Sequence, residues 1–142
     1  MGTIVHVVPN SFKLEVLYGI HDLRTDQLKL ALYDLGLGAN LDANTTTYTP
    51  VGEVASGGYN AGGIAMTLAA GFPAMIGTTA AVRYNDVVWT GVTFATDGAM
   101  IYNSSKGNRA VMCLAFATRQ SPSNGVFSVR FPLSLPPLIQ QN

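Results

Sequence analysis

At 142 residues the chain fits one domain, long enough to bury about two-thirds of the surface that its unfolded form exposes. Its eight basic and eight acidic side chains cancel and neither sign clusters, which excludes the cationic field that a nucleic-acid binder needs to displace counterions. Charged residues make up only 11%, where about 25% is usual, and Gly, Asn, Thr and Pro break up every run that approaches the roughly 20 apolar residues of a membrane-spanning helix. Assembly faces lose Lys, Glu and Asp first, so a chain this poor in charge is expected to have part of its surface covered by other protein.

In chain order, residues 3–8 read as a short strand or an extended arm, too short and without a basic flank for an export signal. Pro9-Asn10-Ser11 offers N-cap chemistry, and Phe12, Val16, Leu17 and Ile20 recur near helical spacing. A helix over residues 11–18, stopped by Gly19, is expected to lay a narrow apolar face on a sheet. It is the single helix in this reading. Residues 26–34 hold a strand with Leu28, Leu30 and Leu32 on one side. Residues 36–47 form a loop, and 48–55 are extended again, edge-like because of Pro50.

Gly57-Gly58-Tyr59-Asn60-Ala61-Gly62-Gly63 brackets a tyrosine with two glycine pairs. No Lys-Ser/Thr pair and no helical pattern follows, so the run lacks the cation and the helix dipole of a phosphate cradle. It reads as a turn whose residues reach positive φ at no steric cost. Ile64, Met66 and Leu68 then alternate with smaller residues, while 73–83 could be strand or coil. Residues 86–90 and 92–96 are two extended segments with a bulge or kink at Gly91. Residues 99–102 and 109–118 flank a hairpin loop at 103–108, and the loop at 121–125 leads into 126–131, where Phe127, Val129 and Phe131 share a face. Short strands separated by turn signals predict an all-β fold, an antiparallel β-sandwich or jelly-roll-like barrel with one short N-terminal helix. The whole of 1–142 is one domain in this reading, with an N-terminal arm at about 1–9 and a Pro-rich tail at 132–142.

Candidate chemistry is sparse. Cys113 lies in an apolar run and reads as a buried small hydrophobe. His21-Asp22 fits a turn whose aspartate caps it better than a metal or acid–base pair. Asp42 and Asn44 lack the glycine and closing glutamate of a calcium loop. Trp89 in an alternating strand is expected in the core. Tyr18, Tyr33, Tyr48, Tyr59, Tyr84 and Tyr102 are spread evenly, which suits strand ends or subunit faces more than one pocket. No catalytic residue, metal ligand or cofactor is expected.

A set of residues in fixed order carries a resemblance. Phe12, Gly19, His21-Asp22-Leu23, Asp26, Lys29-Leu30-Ala31-Leu32-Tyr33 and Tyr48 open it. Glu53, the glycine turn, Asp86-Val87-Val88-Trp89 and Thr93-Phe94 continue it, and Tyr102, Phe116, Gln120-Ser121, Ser123-Asn124-Gly125 and Phe127 close it. Together they resemble a family of small virion structural proteins of tailed bacteriophages, over residues 12–131. The resemblance implies a β-rich, non-enzymatic component of the virion, made in the host bacterial cytoplasm. The chain departs from the family pattern at Phe116-Ala117-Thr118-Arg119, where an acidic segment is usual, and in its Ala- and Gly-rich residues 69–81.

The leading expectation is a capsid decoration (cement) protein on the phage head surface. It would bind the outside of the lattice built by the major capsid protein as a homo-oligomer, with a trimer favoured, and with neither nucleic acid nor membrane as partner. The alternatives are a fibre-base or adaptor protein of the tail or head–tail junction, and a carbohydrate-binding host-attachment module using Trp89. The residues expected at partner interfaces are Ile4, Val5 and Val7 in the N-terminal segment and Leu37 and Leu41 in the first loop. Leu133, Leu135, Leu138 and Ile139 join them from the tail, which docks either on a neighbour or on its own domain.

Overall fold

The computed structural model describes residues 4–38, 40–130 and 139–141, with backbone alone for residues 4, 5, 117 and 139–141. The protein is all-β with antiparallel pairing throughout, and its only α-helix among the described residues is α1 (Asn10–Leu17). The central sheet has five strands in the order β1 (Ile4–Val7), β8 (Arg109–Gln120), β7 (Thr96–Asn103), β2 (Leu28–Tyr33) and β3 (Ile64–Ala65). A three-stranded sheet runs β10 (Ile139–Gln141), β5 (Thr79–Val82) and β4 (Ala74–Ile76), and a two-stranded one joins β6 (Val87–Val92) to β9 (Gly125–Val129).

The alternation in β2 decides which layers meet. Leu28, Leu30 and Leu32 pack with Ile101 of β7, Met112 and Leu114 of β8, and the inward side chains of β6 and β9: Val87, Trp89, Phe127 and Val129. This is a sandwich core, with the Trp89 indole 5.8 Å from the Phe127 ring. The opposite face of the same sheet carries Ala31, Tyr33, Met100, Tyr102 and Cys113, and it too is buried, beneath Leu35, Leu41 and Tyr48 of the first loop. Burial on both faces explains why Leu28-Lys29-Leu30-Ala31-Leu32-Tyr33 is so nearly continuous in apolar residues.

Several expectations change in contact with the fold. The helix stops as expected: the Gly19 N–H donates to Val16 O and the Ile20 N–H to Glu15 O, a Schellman ending with Gly19 at φ 75°. Its start differs, because Pro9 occupies the N-cap without a side-chain cap and the Ser11 hydroxyl donates to Thr45 O instead. Residues 48–55 form no strand; Tyr33–Glu53 and Thr47–Arg109 are isolated bridges. Residues 73–83 are the β4–β5 hairpin, turning at Gly77 (φ 63°). The bulge expected at Gly91 is present inside β6, where the ladder to β9 shifts register between Trp89 and Val92; the second extended segment ends at Val92, and residues 93–95 form no strand. The N-terminal segment is an edge strand rather than a free arm, with Val7 opposite Cys113.

A larger irregularity lies between β7 and β8. Thr96 pairs with Gln120 and Gly98 with Ala115, so two steps along β7 match five along β8. The extra residues lie within 116–119, and they carry Arg119 into a bidentate pair with Asp34, with Asp97 Oδ2 3.8 Å away. The Arg119 guanidinium holds the Asp34 carboxyl below its ordinary value.

The glycine turn meets the sheets backbone to backbone. A Cβ on Gly63 would stand 1.9 Å from Leu30 O, and one on Gly57 would stand 1.7 Å from Thr93 O. At Gly77 a Cβ would meet nothing within 4 Å. Gly77→Ala therefore tests positive φ alone, at about 1–2 kcal/mol. Gly63→Ala adds a backbone collision and is expected to cost about 3 kcal/mol or more in urea unfolding. Equal losses for the two variants would show that Gly63 does not touch β2.

Candidate assembly surface

Two buried polar networks fix the loops that form the surface. The first centres on Glu53, 7% exposed. Its Oε1 accepts from the Tyr48 hydroxyl at 2.6 Å, and its Oε2 accepts from the Tyr59 hydroxyl and from Gly62 N–H at 2.8 Å. The Tyr59 oxygen in turn accepts from Leu32 N–H at 3.0 Å, Tyr33 donates to Thr49 O and Tyr102 donates to Gly62 O at 2.6 Å. Four tyrosines spread through the sequence thus converge around one carboxylate. Burial, reinforced by the Glu53 charge, pushes the hydroxyls of Tyr33, Tyr48, Tyr59 and Tyr102 up from their ordinary values, so they are donors.

The second network ties α1 to the loop between β7 and β8. The Asn103 amide donates to His21 Nδ1 at 2.9 Å and to Asp26 Oδ2 at 2.8 Å, which leaves His21 Nε2–H to donate to Glu15 Oε1 at 2.8 Å. Arg109 closes on Glu15 Oε2 at 2.9 Å, and Lys106 closes on both oxygens of Asp26. The His21 ring packs against Phe12 at 4.7 Å. His21 is therefore a fully bonded structural side chain, and Asp22 caps its turn by accepting from Arg24 N–H. Among the described residues no group of three or more His, Cys, Asp and Glu side chains could hold a metal ion.

This network turns α1 inside out. Glu15 faces the domain with Phe12, while Leu14, Leu17 and Tyr18 lie one helical turn apart on the outer face, Leu17 being 83% exposed. Leu17 is expected on the buried face; the ion pair of Glu15 with Arg109 and its hydrogen bond from His21 rotate it outward. Other exposed apolar side chains are Leu37 and Val51 in the first loop, Val88 and Val126 on the outer face of β6 and β9, and Met75 and Ile76 on β4.

Leu37 of the expected interface set is thus well exposed. Val7 and Leu41 are half-buried and come together with Cys113 around a groove of about 290 Å³. Burial pushes the Cys113 thiol up to about 11, so it is a packing group there. The backbones of Ile4 and Val5 pair with Phe116 and Ala115, and Ile139 pairs with Val82 of its own domain. Leu133, Leu135 and Leu138 lie outside the described residues. Trp89 is 5% exposed, a core residue that presents no stacking platform. The outward row Leu14, Leu17 and Tyr18 escaped the sequence reading, although its spacing was visible; nothing local said which face a glutamate would take.

No described helix is long and apolar enough to cross a membrane. Compared with family models, curated proteins and solved structures, the chain matches none of them.

The networks make two tests. Glu53→Gln places an amide N–H against hydroxyl or backbone donors and is expected to cost about 2–3 kcal/mol in urea unfolding, with wild-type stability as the contrary result. For Asp26, burial raises the pKa, but the bonds from Asn103 and Asp22 N–H and the Lys106 ammonium outweigh it and hold the group below 3.8. Its stabilising contribution is complete above the unfolded value and is lost as pH falls through the folded one. The stability gap between wild type and Asp26→Asn should therefore be constant above about pH 5 and shrink below about pH 4; a gap unchanged at pH 3 would contradict the pairing.

Proposed function

We propose that this protein is a structural component of a tailed-phage virion, a capsid decoration protein that binds as many copies to the outside of the lattice made by the major capsid protein. It acts by adhesion and carries out no reaction. The observation that carries this reading is the outward apolar row of Leu14, Leu17 and Tyr18 along α1 and its C-cap, held on the β-domain by the bonds of the buried Glu15 to His21 and Arg109. A short helix whose outer face is leucine and tyrosine supplies the kind of anchor that dominates protein interfaces. The low charge of the chain removes much of the desolvation cost of covering that face. Repetition over a shell makes a modest contact effective, because each copy that bridges capsomers adds to the stability of the closed lattice.

Leu17→Lys tests the anchor. Because Leu17 is exposed, urea stability should stay within about 0.5 kcal/mol of wild type. Binding to shells of the cognate major capsid protein, measured by co-sedimentation, should weaken at least about tenfold. Unaltered binding would remove the helix face from the contact. Copy number in purified particles tests the class: decoration requires on the order of hundreds of copies, a tail or junction part about six to a few dozen.

A further inference from the structure

We propose that the outer edge of β4 is a pairing site for a second copy of the same chain, with the two β4 strands running antiparallel about a two-fold axis near Met75. The contact is between copies and holds independently of the particle reading above.

The β4–β5 hairpin is paired on one side only. β5 lies between β4 and β10, whereas the outer edge of β4 has no strand partner among the described residues. Such an edge presents backbone N–H and C=O groups, which proteins blunt by shortness, proline, bulges, covering segments or charge, lysine above all; β4 is short and follows Pro73. This hairpin carries no charged residue from Gly71 to Val82. Instead Met75 is 61% exposed and Ile76 41%.

Two features select a second copy as the occupant. Antiparallel pairing of a strand with itself satisfies two-fold symmetry, since each residue offers its partner the groups that it receives. Self-pairing also sets each side chain against its own kind, so a charged edge would repel itself and only an uncharged one tolerates the arrangement. The sequence of β4, Ala-Met-Ile, meets that condition, and two Met75 side chains would lie near the axis over a continuous six-stranded sheet, three strands from each copy. The edge is three residues long, so the pair is weak and reversible, with a dissociation constant on the order of 100 μM.

Sedimentation of the full chain from about 10 μM to about 1 mM should show a monomer–dimer equilibrium in that range. Met75→Lys sets two ammonium groups face to face and should weaken dimerisation at least about tenfold, with an unchanged far-UV circular dichroism spectrum. Leu17→Lys should dimerise as wild type does, which separates this contact from the helix face. Met75→Cys should give a disulfide-linked dimer on mild oxidation, because a residue near the axis meets its own copy, while Leu17→Cys should not. A chain that stays monomeric throughout, a dimer that Met75→Lys leaves intact, or no cross-link through Met75→Cys would each overturn the proposal.

Discussion

A carboxylate buried without a counter-charge among the described residues is the constraint on which much of this architecture depends. Glu53 is held by the Tyr48 hydroxyl from the loop before the glycine turn, and by the Tyr59 hydroxyl and Gly62 N–H from the turn itself. An unpaired buried carboxylate is expensive, and this one is tolerable only while all three donors stay in place. That requirement draws the loop before the glycine turn, the turn itself and the tyrosines into one knot above β2. Tyr59 extends it into the sheet by accepting from Leu32 N–H, and Tyr102 extends it by donating to Gly62 O. The glycines complete it, because Gly57 and Gly63 bring backbone against backbone where a Cβ would collide.

The second polar network shows a different use of buried charge. Glu15, His21, Asn103, Asp26 and Lys106 form a chain of donors and acceptors in which every proton of the Asn103 amide is assigned. Its consequence is orientation. Burying Glu15 forces the leucines of α1 toward solvent, so an interior electrostatic preference becomes an exterior apolar surface. The Arg119–Asp34 pair acts similarly on β8, stabilising a bulge that would otherwise be a defect in the ladder. In both places a charge pair selects a geometry, and the apolar packing accommodates it.

Apart from Leu37 and Val51 in the first loop, the exposed apolar groups lie on elements held by hydrogen-bonded structure: an eight-residue helix with a Schellman ending, a bulged strand pair and a tight hairpin. Rigid presentation lowers the entropy cost of association, which is why such patches suit a protein that acts through contact.

Local pattern was enough for the all-β class, the strand of Leu28, Leu30 and Leu32, the helix with its Gly19 stop and the core place of Trp89, since side-chain alternation and turn chemistry act over a few residues. The residues of the knot were also visible as types: Glu53 and its four tyrosines stood among the six in the sequence. Their convergence did not follow, because Tyr33, Tyr59 and Tyr102 meet only when the sheet brings β2, β7 and the glycine turn together. The direction of α1 was undecided for the same reason. Its apolar residues fit either face until Arg109, 94 positions away, claimed Glu15. Long-range pairing of buried charge, which carries no local signature, decided which side of the helix the rest of the world meets.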